Sequence, residues 1–300
     1  MRPFRLAGLM TLLFLSGELG RADNTVLSPD SPDASSGYQL VWSDDFRTQP
    51  NGPPDPAKWS YEEGFLRNNE QQYYTRDRRE NARIENGLLV IEGRREDYLP
   101  PGGNHTGNAI HYTSASLTSK GKSEWQYGRI EVKAQLPSGR GVWPAIWTLG
   151  SNIGSVGWPR CGEIDMMEFV GSQPNVIHGT VHYFANSKHA SEGKPLTIDH
   201  PESAFHLYAV EWTPLYIDFF VDNQRYFHFD VKKADAGLDN PFHQPHFMIL
   251  NLALGGSWGG KIDNAIFPQR MSVAYVRVYE MTEVTHIPSA NVAERRLVKE

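Results

Sequence analysis

From residue 38 onward the chain is written in short apolar runs broken by Gly, Pro, Asn and Asp. The runs YQLVW, NARIENGLLVIEGRR, YGRIEVKAQL, EIDMMEFV, VIHGTVHYF, FHLYAVEW, YIDFFVDNQRYFHFDV, PHFMILNLAL and SVAYVRVYE are rich in β-branched and aromatic residues, the composition of strands. Asn86-Gly87 and Asp222-Asn223 sit between alternating runs and predict two tight hairpins. Helical periodicity is almost absent. Many short strands in one unbroken series predict an all-β sandwich without internal repeats.

The ends read differently. Arg2 and Arg5 precede an apolar stretch from Leu6 to Ser16, and Gly20 and Ala22 occupy small-residue cleavage positions before Asp23. This predicts a signal peptide over 1–22, too short to span a bilayer. Residues 23–37, rich in Ser, Pro and Asp, predict a flexible leader. One catalytic domain over 38–280 follows, with a tail over 281–300.

Removing residues 1–22 takes three arginines and one glutamate and moves the net charge from −6 to −8. An acidic exported chain is poorly suited to nucleic acid or an anionic membrane and suits a neutral partner. The expected location is secreted or periplasmic, and the expected form a monomer. The single cysteine, Cys161, leaves the core to hold the fold without a disulfide. About 275 residues suffice for that as one domain.

One apolar run carries unusual chemistry. RCGEIDMMEFVG (160–171) places Glu163, Asp165 and Glu168 among residues that otherwise read as a buried strand. Glu163 and Asp165 share a strand face, whereas a regular strand turns Glu168 to the other. A β-bulge near Met166-Met167 restores the third acid to the common face. Ionised carboxylates are costly to bury, so the row predicts a cleft lining. Like charges there raise the pKa of at least one acid. A protonated acid beside an ionised one is the equipment for cleaving a glycosidic bond. The Cα atoms of Glu163 and Glu168 should lie about 13 Å apart along the strand, so the sheet must be concave for their side chains to converge. Trp143, Trp158 and Trp258 adjoin Gly or Pro, Trp147 lies three residues from Pro144 and from Gly150, and all four are candidates to stack on sugar faces.

Two metal readings compete. A row of carboxylates could hold calcium but lacks the enclosing carbonyls of a loop site. His178 and His182 have H-x-x-x-H spacing, but that motif binds zinc on a helix, and Thr180 and Val181 favour a strand. No cofactor and no metal are expected.

The stretch G-E-I-D-x-x-E resembles the active-site strand of family 16 glycoside hydrolases, in the laminarinase-like endo-β-1,3-glucanase branch with the extra motif residue. VWSDDF, NNEQQYYT, YGRIEVKAQLPSGRGVWPAIWTLG, GWPRCGEIDMMEFVG, FHLYAVEWTP, ILNLALGGSWGG and AYVRVYE follow in family order, covering Tyr38 to Tyr279. The resemblance implies a concanavalin-like β-jelly-roll with a concave substrate cleft. It implies Glu163 as nucleophile, Glu168 as acid/base and Asp165 as the group modulating Glu163. It further suggests Trp158, Asn68, Glu131, Lys133, Trp143, His182 and Trp258 as substrate contacts. The implied partner is a polysaccharide, β-1,3-glucan first. The alternatives are mixed-linkage glucan, a galactan, transglycosylation, or glucan binding without catalysis. Two positions depart from the family: Ala274 stands where many members carry an aspartate that binds a structural calcium, and Lys133 where many carry arginine. The first weakens the case for calcium, although Asp44 or Asp45 could contribute.

Overall fold

The structure, a computed structural model, describes residues 37–101, 109–235 and 240–282. The expected signal peptide, nearly all of the leader and all but two residues of the tail lie outside the described residues. The strands are β1 (Tyr38–Asp45), β2 (Ser60–Glu62), β3 (Tyr73–Tyr74), β4 (Ala82–Glu85), β5 (Leu88–Tyr98), β6 (Ile110–Ser114), β7 (Ser116–Thr118), β8 (Gly128–Gln135) and β9 (Val142–Gly150). They continue as β10 (Glu163–Phe169), β11 (Val176–Ala185), β12 (Lys188–Thr197), β13 (His206–Trp212), β14 (Tyr216–Val221), β15 (Gln224–Asp230), β16 (His246–Leu254) and β17 (Gln269–Met281).

Two sheets result. One has seven strands in the order β12-β11-β10-β9-β16-β7-β2. The other has ten, in the order β15-β14-β13-β8-β17-β5-β6-β3, with β1 on β17 and β4 on β5. Pairing is antiparallel except between β3 and β6. The two predicted hairpins are β4–β5 and β14–β15. Asn86, Gly87, Asp222 and Asn223 all have positive φ, as a type I′ turn requires.

The core between the sheets is made by alternate residues of both. Ile130, Val132 and Ala134 of β8 and Val276 and Val278 of β17 meet Ile146 of β9, Ile164 of β10, Val181 of β11 and Leu250 and Leu252 of β16. Strands β9 and β16 are buried along their whole length, which demands cover on both faces. The inner face has the other sheet. The outer face carries two smaller apolar clusters, Ala145-Trp147-Leu149-Cys161-Phe247-Ile249 and Trp143-Val170-Ala253 with Trp258 packed against it. These make a groove floor. Among the described residues no helix is long and apolar enough to cross a membrane.

Candidate active site

The groove holds a cavity of about 540 Å³ over β9, β10 and β16. Its floor and walls include Trp143, Trp147, Trp158, Asn251 and the three acids Glu163, Asp165 and Glu168. The alternation of β9 explains the floor: Trp143, Ala145, Trp147 and Leu149 all point away from the core.

The acids reach the same groove through a bulge. Against β11, Asp165 pairs with Thr180 but Glu168 with His178; against β9, Asp165 pairs with Trp147 but Met167 with Ile146. Each register thus holds one extra residue on β10, as the interrupted alternation predicts. Met166 and Met167, consecutive in sequence, are both fully buried in the core. With two neighbours turned inward, Glu168 returns to the outer face. The strand is anchored at both ends by close backbone approach. A Cβ at Gly150 would lie 2.0 Å from the Cys161 carbonyl, and one at Gly171 1.8 Å from that of Gly139.

Burial and repulsion shape the proton affinities. Glu163 is pushed up to about 8, first by burial and then by the charge of Asp165, against the pull of His182 and the Trp158 N–H. Glu168 is pushed up to about 7 by burial and then by Glu163, with the Trp143 N–H opposing. Asp165 is raised well above the carboxylate range by burial and then by Glu168. Such values belong to the cluster rather than to single groups. Trp158 Nε1 donates to Glu163 at 2.9 Å, and Trp143 Nε1 donates to Glu168 at 3.1 Å. His182, opposite Glu163 on β11, brings Nε2 to 3.2 Å from Asp165 Oδ2 and 3.8 Å from Glu163 Oε1.

Of the suggested contacts, Asn68, Trp143 and Trp158 line the cavity. Trp258 packs edge-on against Trp143 at 5.5 Å and against His178 at 4.9 Å. Asn68 belongs to a loop held on β16. Its carbonyl accepts from Ser257 N, Gln71 N donates to the Leu254 carbonyl, and Gln72 Oε1 accepts from Leu254 N. Glu70 accepts from Gln72 and Tyr74, and Asn251 links Tyr74 to Trp147.

Glu131 and Lys133 require correction, because neither lies in the groove. Both are on β8 of the other sheet, where Ile130, Val132 and Ala134 turn inward and therefore Glu131 and Lys133 turn outward. Glu131 is fully buried there, accepts from Arg129 Nε at 2.7 Å and pairs in register with Arg277. Lys133 pairs in register with Tyr275. Sequence reasoning also passed over Glu62, Arg67 and His189. Arg67 pairs with Glu62 and lies over the Trp147 ring at 4.9 Å. Its adjacency to Asn68 was the available signal. His189 stacks on His182 and packs at a tilt against Trp158, from a stretch with no periodicity to mark it.

A tryptophan-floored groove crossed by a row of carboxylates with raised proton affinities is the site of a glycoside hydrolase. The profile of glycosyl hydrolases family 16 matches residues 69–277, and the chain belongs to that family. A β-glucanase of Rhodothermus marinus is 44% identical over 271 residues, covering 86% of this chain and 91% of its own. The crystal structure of the Rhodothermus marinus laminarinase matches with a TM-score of 0.71 at 46% identity, covering 81% of this chain and 97% of that one. A structure from work on endo-acting O-glycanases that initiate mucin breakdown in the human gut microbiota matches with a TM-score of 0.75 at 35% identity, covering 82% and 92%.

The family's structural calcium does not suit the residues present. Asp44, fully buried, accepts from Lys58 Nζ, Trp59 Nε1 and Gln49 Nε2. Asp45 is held by Arg47, with Arg277 at 3.6 Å. Ala274 brings no oxygen from its side chain. Protein cations and N–H donors already answer these carboxylates, where a hard cation would need free oxygens.

Proposed function

We propose that the chain is a secreted endo-acting β-1,3-glucanase that cleaves by double displacement with retention. The observation that carries this is the bulged strand, which sets three carboxylates on one face above an aromatic floor. Burial favours a proton on Asp165, whereas the Trp158 N–H donates to Glu163 and favours it as the anion. Glu163 attacks the anomeric carbon while Glu168 gives its proton to the departing glycosidic oxygen, leaving a glycosyl ester on Glu163. Glu168, now ionised, takes a proton from water. That water attacks the anomeric carbon, the ester bond breaks and Glu163 is regenerated.

A second reading, cleavage of a β-linked galactan, draws on Arg67. Its guanidinium covers part of the Trp147 face and narrows the surface left for a flat glucose ring. The purified protein incubated with laminarin, curdlan, mixed-linkage glucan, agarose and carrageenan, with products sized over time, decides between them. Early conversion of laminarin to mixed oligomers is expected. Galactan cleavage without laminarin cleavage would replace the substrate and keep the acids. Binding without cleavage of any of them would remove the enzyme reading.

The proton on Glu168 also sets a pH limit. Activity needs this group protonated, so kcat/KM falls as pH rises through its value of about 7. The Trp143 N–H stabilises the ionised form, so removing it must raise the value further. Trp143→Phe should therefore move the alkaline limb of the kcat/KM profile to higher pH. A limb that stays in place or moves lower would show that another group controls it.

A further inference from the structure

We propose that Glu163, Asp165 and His182 form a binding site for a late first-row divalent cation of the zinc class, and that its occupation silences the enzyme by taking the nucleophile as a ligand. The three residues present ligand atoms that all lie within 4.8 Å of one another. A tetrahedral zinc ion with bonds of 2.0–2.1 Å leaves neighbouring donors about 3.3 Å apart. His182 Nε2 stands 3.2 Å from Asp165 Oδ2 and 3.8 Å from Glu163 Oε1, so small side-chain shifts complete three of the four corners. The groove leaves the fourth open to water.

Asp165 shows that these atoms are not simply partners of each other. Its Oδ2 is buried and makes no hydrogen bond, although His182 Nε2 is beside it, and the residue is only 3% exposed. A buried carboxylate oxygen without a donor is costly. A shared cation would satisfy it and would offset the repulsion that drives protons onto the acids.

His189 makes His182 a suitable ligand. Its Nε2 lies 2.9 Å from His182 Nδ1, and the two rings stack at 19°. When Nδ1–H donates to His189, His182 turns a lone pair at Nε2 toward the carboxylates, the tautomer that metal binding requires. Trp158, at 4.6 Å, packs against His189. One imidazole and two carboxylates suit zinc, whereas calcium and magnesium take six or more oxygens. Binding displaces the protons that Glu163 and Asp165 share and involves no redox step.

The test reads binding directly and so is separate from the choice of substrate. The EDTA-treated, dialysed protein is titrated with Zn²⁺ by calorimetry and with Co²⁺ by visible absorption. The expected result is one zinc per chain, a tetrahedral cobalt spectrum, and turnover lost at zinc saturation, restored by EDTA and unaffected by Mg²⁺ or Ca²⁺. His182→Gln and Glu163→Gln should each weaken zinc binding at least about tenfold, and His189→Ala about tenfold through loss of the tautomer. Melting curves confirm that each variant is folded. Unchanged zinc affinity in both His182→Gln and Glu163→Gln, an octahedral cobalt spectrum, or full turnover at zinc saturation would each overturn the proposal.

Discussion

Glu163→Gln and Glu168→Gln each yield a folded protein whose turnover is lower by about 10⁴-fold or more, the scale on which removing one member of a catalytic set acts. The two losses differ in kind, and azide separates them. In Glu168→Ala the ester still forms with an activated substrate, and azide, needing no general base, captures it as the retained glycosyl azide. In Glu163→Ala azide replaces the nucleophile and gives the inverted product. The same product from both variants, or turnover near that of the parent, would break the assignment.

Stability should move the other way. Below the ordinary carboxylate range both folded and unfolded chains hold these protons, and nothing is lost. Above it the unfolded chain ionises all three acids, while the folded cluster, with Glu168 raised to about 7, Glu163 to about 8 and Asp165 raised as well, keeps part of these protons. Folding then takes up protons, so stability falls as pH rises until the site itself ionises. A glutamine escapes this penalty. At pH 8 the Gln variants should melt roughly 2–8 °C above the parent, equivalent to ~1–2 kcal/mol in a domain of this size. At pH 4 the difference should vanish.

The second large effect concerns the extra residue of β10. Inserting one alanine between Met166 and Met167 makes the interval from Glu163 to Glu168 even, so plain alternation returns, the alanine faces the groove and Glu168 moves about 3.3 Å further from Glu163 along the strand. Turnover should fall by ~10²-fold or more, since a misplacement of an ångström already costs about that much. Deleting Met167 instead straightens the strand into plain alternation, with the acid still facing the groove. The carboxyl then shifts by about an ångström, enough to cost ~10²-fold in rate. Circular dichroism and melting separate loss of fold from loss of alignment. A folded deletion variant with unchanged turnover would mean that the bulge does not set the spacing.

Much of this was legible because burial leaves a record in alternation. Ile164 and Phe169 mark the core face of β10, and the two consecutive methionines mark where the alternation slips. The Asn86-Gly87 and Asp222-Asn223 turns were equally plain, since few residue pairs accept positive φ. Alternation states which face a side chain takes, however, and not which sheet its strand joins. Glu131 and Lys133 were lost for that reason: β8 reads as a half-buried strand in either sheet. Strand β12 left almost no record, being exposed along most of its length, and His189 went unseen with it. The pairing of Arg67 with Glu62 depends on a short strand, β2, that carries too few residues to show a period.

Strand β17 lies between β8 and β5 and also receives β1, so the middle of the larger sheet is made after every other described strand. Tyr38 finds its partner only when Met281 exists. Long-range pairings of this sort make folding slow. Until β17 appears, β8 and β5 lack the strand that joins them, and one face of the core has no complete cover. Compaction of the larger sheet is therefore postponed until β17 has been made.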